Sequence, residues 1–219
     1  MKRLLVGVFT FMWTLLLLCG ATASATDAFS NYGPSGAYDV APSDGWLIGG
    51  SGGGSESIAE QFTSAVSGPL DSVTLSLGYS SGGTSWVATL NDDNGADNVG
   101  TTSLVTWSFS WSAPNATGGG TFTLPYSGPL TLVAGTKYWV TVGALSTDLS
   151  GAWKWNSTGD GAPVYQGRQS FSVDGGVTWT NFFVGPRGVF KVSVVPEPAM
   201  LAMFAIGVVG IVLCRQRRH

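Results

Sequence analysis

Between Thr26 and Val195 apolar and polar side chains alternate in short runs. Val73, Leu75 and Leu77 fall between Ser72, Thr74 and Ser76, and Trp86, Ala88 and Leu90 alternate with Val87 and Thr89. Val105, Trp107, Phe109 and Trp111 alternate with Leu104, Thr106, Ser108 and Ser110. The same holds for Tyr138, Val140 and Val142 against Lys137, Trp139 and Thr141, and for Phe190, Val192 and Val194 against Val189, Lys191 and Ser193. Successive side chains of a strand point to opposite faces, so each run has one face for a core and one for solvent. Residues 46–48, 58–63, 120–125, 130–133, 152–155, 164–173 and 177–184 are further strand candidates. Turn signals separate them, among them Ser67-Gly68-Pro69, Ser81-Gly82-Gly83 and Ser127-Gly128-Pro129. Residues 26–45, rich in Gly, Pro, Ser and Asp, read as a lead-in with the first strand at Trp46. No stretch of this region has the spacing of an amphipathic helix. The pattern predicts an all-β domain, an antiparallel β-sandwich of jelly-roll-like form, over residues 26–195.

The two ends break this pattern. Lys2 and Arg3 precede an apolar run over 4–18, and Ala21 to Ala25 are all small residues. That order predicts a secretory signal peptide over 1–25, cut after Ala25 or, alternatively, after Ala23. Cys19 follows Leu18, where lipidation needs a small residue. At the other end Pro196-Glu197-Pro198 leads into an uncharged run over 199–214, then Arg215, Arg217 and Arg218. At a rise of about 1.5 Å per residue the run spans about 24 Å, near the ~30 Å of a hydrocarbon core. It predicts a single transmembrane helix over 199–214 with its arginines on the cytoplasmic side. A buried C-terminal helix is the alternative, but the run has no polar face.

Composition narrows the chemistry. Between Thr26 and Val195 acidic residues outnumber the basic Lys137, Lys154, Arg168, Arg187 and Lys191, so no basic patch invites nucleic acid. Both cysteines, Cys19 and Cys214, lie in the terminal segments, so the domain has no disulfide. The one histidine is His219. The domain therefore has no Ser-His-Asp triad, no Cys-His pair and no His-ligated zinc.

The order Pro196-Glu197-Pro198, short apolar helix, arginine cluster resembles the PEP-CTERM sorting signal of Gram-negative bacteria. The resemblance implies recognition and cleavage by the membrane transpeptidase exosortase, after removal of the leader by signal peptidase, and delivery to the cell surface or extracellular matrix. A second likeness lies in Leu70-Asp71-Ser72-Val73-Thr74-Leu75 and Leu132-Val133-Ala134-Gly135-Thr136-Lys137-Tyr138-Trp139. These resemble the bacterial choice-of-anchor surface domains, a resemblance that implies fold and location and no activity.

Four constellations remain. Ser172, Asp174, Gly176, Thr178 and Trp179 fit S-x-D-x-G-x-T-W, which resembles the Asp-box hairpin. There Asp174 accepts backbone N–H bonds across the turn, Gly176 supplies a permissive φ and Trp179 packs beneath. Asp92, Asp93, Asn94 and Asp97 crowd oxygen ligands into one loop, enough for calcium, although the EF-hand register fails. A polar loop is the other reading, and no further cofactor is expected. Trp139, Trp153 and Trp155 are the tryptophans to watch for stacking on sugars, the rest falling at inward positions. Glu56 and Glu60, the only glutamates of the domain, have no second acid beside them in the sequence, and paired carboxyls are what glycoside hydrolysis needs. The glycine run 49–55 lacks the Lys-Ser/Thr of a phosphate loop, and the sequons at Asn115 and Asn156 read as chance. The sequence thus predicts an exported, non-enzymatic surface or matrix protein with a structural or adhesive role. A surface carbohydrate-binding module, with polysaccharide as partner, and a surface hydrolase are the alternatives.

Overall fold

The computed structural model describes residues 24–40, 45–49, 56–111, 119–156, 167–182 and 186–195. The expected leader up to Ala23, the glycines 50–55, the sequon at Asn115 and the whole expected tail, 196–219, lie outside them. Ala25–Val195 forms one compact unit. Among the described residues no helix is long and apolar enough to cross a membrane, and only Pro34–Gly36 makes a single 3-10 turn.

The strands are β1 (Thr26–Ser30), β2 (Gly45–Gly49), β3 (Ser57–Thr63), β4 (Gly68–Ser81), β5 (Ser85–Asp93), β6 (Val99–Ser110) and β7 (Gly120–Pro125). They continue with β8 (Thr131–Leu132), β9 (Lys137–Ala144), β10 (Ser150–Lys154), β11 (Gln169–Ser172), β12 (Thr180–Phe182) and β13 (Phe190–Val194). Every pairing is antiparallel, and the strands form two sheets, as the alternation predicts.

The first sheet is organised by β4. Ser72, Val73, Thr74 and Leu75 each pair with β13 on one side and β7 on the other. Leu77 likewise pairs with Trp153 of β10 and Gly120 of β7. So β13 and β10 lie end to end along one side of β4, extended by β1 and β2 respectively, and β7 runs along the other. The second sheet runs β12-β11-β3-β9-β5-β6.

The alternating apolar rows meet between the sheets. Leu75, Leu77, Trp86, Leu90, Val140, Trp153 and Val192 have no exposed surface. Burying each large side chain contributes about 1.5–3 kcal/mol. Gly151 makes room for one of them: a Cβ there would stand 2.2 Å from Cη2 of Trp86. On the outer faces hydroxyls pair across strands, as in Thr74 with Thr123 at 3.2 Å and Thr89 with Thr141 at 2.6 Å.

Three expectations are corrected. The lead-in is not structureless, because Thr26–Ser30 pairs with β13 as β1. A bulge between Asp27 and Phe29 lets neighbouring Ala28 and Phe29 both enter the core, which hides the strand's period. The strand expected at 104 begins at Val99, and within the expected strands 164–173 and 177–184 only Gln169–Ser172 and Thr180–Phe182 form strands among the described residues.

Candidate functional site

On the side of the sandwich where β2 faces β11 and β12, the two sheets enclose a cleft of about 660 Å³. Trp46 shares the inward phase of β2 with Ile48, which is 1% exposed. Its Nε1 donates to the Pro186 carbonyl at 2.8 Å, fixing the ring. That ring meets Trp155 edge-on at 5.9 Å and Phe182 at 4.9 Å, and Phe182 meets Phe171 at 5.6 Å. The four rings, with Gly45, Leu47, Ile58 and Glu56, line the cleft among the described residues. A cleft of this size suits a small or segmental ligand. Its chemistry is aromatic faces for apolar C–H surface and one carboxylate to accept hydroxyl hydrogen bonds.

Behind the cleft wall lies a buried carboxyl. Glu60 follows Ile58 on the inward face of β3 and pairs in register with Gln169, which pairs in turn with Phe182. Its Oε1 accepts from Gln169 Nε2 at 2.6 Å and from the Gly188 N–H at 2.7 Å. The Arg187 guanidinium stands 3.7 Å from Oε2, an ion pair too long for a hydrogen bond. Burial pushes the Glu60 carboxyl up to about 8, against the opposing pull of the Gly188 N–H, Arg187 and Gln169. Arg187 also donates to the Gly167 carbonyl at 2.9 Å, and its backbone exchanges bonds with Asn156. With 1% of its surface exposed, Glu60 cross-links β3, β11 and the start of β13 and reaches no ligand.

The acidic loop and the Asp-box come together on the opposite, outer face of the second sheet. Asp174 Oδ1 accepts from Ser172 Oγ at 2.6 Å and from the N–H groups of Val177 and Thr178, and Oδ2 accepts from Thr178 Oγ1 at 2.6 Å. These donors, Ser172 first, hold its carboxyl far below the usual carboxylate range. Gly175 and Gly176 take φ of 76° and 90°, where a Cβ would be strained. Trp179 then packs with Ala59, Val99 and Trp139 in a small second core. Across it, Asp93 Oδ2 accepts from Gln61 Nε2 at 2.7 Å and from Trp139 Nε1 at 2.9 Å. Asn94 Oδ1 accepts from the N–H groups of Ala96 and Asn98. Asp97 pairs with Lys137 and with Arg168 at 3.3 Å, and the Lys137 hydrogen bond, then that of Gln61, lowers its carboxyl. Oxygens of Asp93, Asn94 and Asp97 are thus taken up by protein donors, whereas Asp92 Oδ1 is buried without a hydrogen-bond partner among the described residues. Among the described residues no three His, Cys, Asp or Glu side chains group as metal ligands.

The tryptophans are redistributed. Trp139 has the outward phase the alternation gave it, yet the 93–99 loop and Trp179 leave it 0% exposed, so it stacks on no sugar. Trp153 is also 0% exposed: it points inward and donates from Nε1 to the Val189 carbonyl at 2.8 Å. Of the three, Trp155 alone lines the cleft. The alternation gave Trp46, Phe171 and Phe182 no distinction from core residues. Their signal is strand length: each stands in a strand of three to five residues.

Residues 194–218 match the family model of the PEP-CTERM protein-sorting motif, which takes in Pro196-Glu197-Pro198, Arg215, Arg217 and Arg218. The match covers the tail and not the sandwich. No curated protein matches the chain. A motif of this kind indicates an extracellular protein sorted by exosortase, with its C-terminus addressed to the membrane and surface.

Proposed function

We propose that this exosortase-sorted extracellular protein is a structural and adhesive component of the cell envelope or its polymer matrix, and that it grips polysaccharide through the Trp46–Phe182 cleft. The observation that carries this is an open aromatic cleft on a domain that bears a sorting motif. The flat apolar faces of sugar rings fit Trp46, Trp155, Phe171 and Phe182, and Glu56 accepts from ring hydroxyls. A hydrolase is the weaker reading, because two accessible carboxyls about 5–10 Å apart are needed and Glu60 is sealed from the cleft.

Pull-down of the full-length chain on cell-surface polysaccharide tests the binding. Trp46→Ala and Trp155→Ala should each weaken retention about tenfold or more, at ~1–3 kcal/mol per stacked ring. Retention that survives both would remove the saccharide and leave only the structural role. For sorting, replacing Pro196, Glu197 and Pro198 with alanine should leave the chain full-length in the inner membrane. Normal surface delivery of that variant would sink the exosortase reading and leave 199–214 as a plain anchor.

A further inference from the structure

Edge strands display unpaired N–H and C=O groups, and proteins blunt them with charge, proline, bulges or brevity. Three edges of this sandwich are blunted. β12 has three residues, and β2 has five with glycine at both ends. β1 has five, a bulge at Asp27–Phe29, and an Asp27–Lys191 ion pair at 3.7 Å.

β6 differs. It pairs with β5 alone, and it is the longest edge strand among the described residues, at twelve. Bulges protect its first half, where Asn91 pairs with Ser103 and Asp93 with Val99. From Val105 to Ser110 it is regular, opposite Leu90 to Ser85 one for one. That stretch, Val-Thr-Trp-Ser-Phe-Ser, has no charge, proline or glycine, and Val105, Thr106, Trp107 and Phe109 are strong strand formers. No charged residue occurs anywhere between Asp97 and Lys137. The open edge of the other sheet lies on the same side: β7 pairs with β4 alone. Its Phe122 packs on Phe109 at 5.5 Å and on Trp111 at 5.1 Å.

We propose that this β6/β7 side is a self-association face, on which Val105–Ser110 pairs antiparallel with the same strand of a second copy of the chain. The argument for a second copy is self-complementarity. With the two-fold axis at Ser108, Trp107 faces Phe109 of the other copy and Thr106 faces Ser110. Apolar then meets apolar inside, and hydroxyl meets hydroxyl outside, repeating the Thr89–Thr141 pairing already in the sheet. A charged partner segment finds no counter-charge here.

The test uses the purified full-length chain in detergent. Sedimentation should give a dimer. Thr106→Lys with Ser108→Lys, both exposed positions, should weaken it about tenfold or more by setting like charges opposite one another. Thr180→Lys on β12 should leave it unchanged. Separately, with Cys19 and Cys214 replaced by serine, Ser108→Cys should oxidise to a covalent dimer and Thr180→Cys should not. A monomeric parent chain, a dimer indifferent to the lysine pair, or equal cross-linking from both edges overturns the proposal. If the lysine pair unfolds the chain, the cysteine comparison decides. The cleft lies at the far edge of the second sheet. Trp46→Ala should therefore stay dimeric and the lysine variant should still bind polysaccharide, which keeps the two ideas separately refutable.

Discussion

Aromatic side chains finish both long sides of the sandwich, with opposite results. On the β6/β7 side Trp86, Phe109, Trp111 and Phe122 stand within 5.1–6.5 Å of one another, and Trp107 donates to the Pro125 carbonyl at 2.9 Å. On the β2/β12 side Trp46, Trp155, Phe171 and Phe182 stand at similar separations, 4.9–5.9 Å, yet line a cleft. The difference is the opposing strand. β7 is six residues long and sets Phe122 beneath Phe109 and Trp111, which closes the layers. On the other side, among the described residues, β11 and β12 set only four and three strand residues opposite Trp46. The same residue types at similar spacing close the layers in one place and line a cleft in the other.

Mutations can break that comparison. Trp86→Ala should have the largest effect, a loss of about 3–5 kcal/mol in urea unfolding, since Trp86 is 0% exposed beneath Phe109 and Trp111. If Trp155→Ala were as damaging, the cleft would be core and the contrast would fail. Next comes pH. The Glu60 carboxyl is raised from its ordinary 4.5 to about 8, so the folded state favours its proton. Its stabilisation is complete below the ordinary value and disappears as pH rises through about 8. Unfolding free energy should therefore fall across that window, with a slope of at most about 1.4 kcal/mol per pH unit for one proton. Glu60→Gln should flatten the profile, and a parent profile already flat would refute the sign.

Smaller effects sharpen the contrast. Asp174→Ala should lower the melting temperature by a few degrees, because Asp174 ties the β11–β12 turn and so positions Phe171 and Phe182. Its depressed carboxyl gives the opposite pH sign to Glu60: the stabilisation is present at neutral pH and lost in acid. An unchanged melting temperature would reject the turn lock. Trp155→Ala should be mildest for stability, about 1 kcal/mol or less, since its ring is only partly buried.

The sandwich was legible because period two is a local property, plain in Val73, Leu75 and Leu77 or Tyr138, Val140 and Val142. The Asp-box was legible for the same reason, since its bonds join Ser172 to Thr178. What failed was tertiary. Trp139 has the right phase for solvent, and a loop folding back from β5 covers it together with Trp179. The polar partners of Glu60, Gln169 and Arg187, lie far along the chain, out of reach of a local pattern. The cleft brings Trp46, Trp155, Phe171 and Phe182 together from separate stretches of the chain, and no single stretch records that meeting.

One pairing bears on mechanics. β13 runs between β1 and β4, and Val195, just beyond it, leads into the sorting motif. A pull applied at Val195 along the axis of β13 would load both neighbours at once. It must shear the ladders to Thr26–Ser30 and Leu70–Leu75 together, rather than peel one bond at a time. A domain loaded at that end should resist tension best along β13.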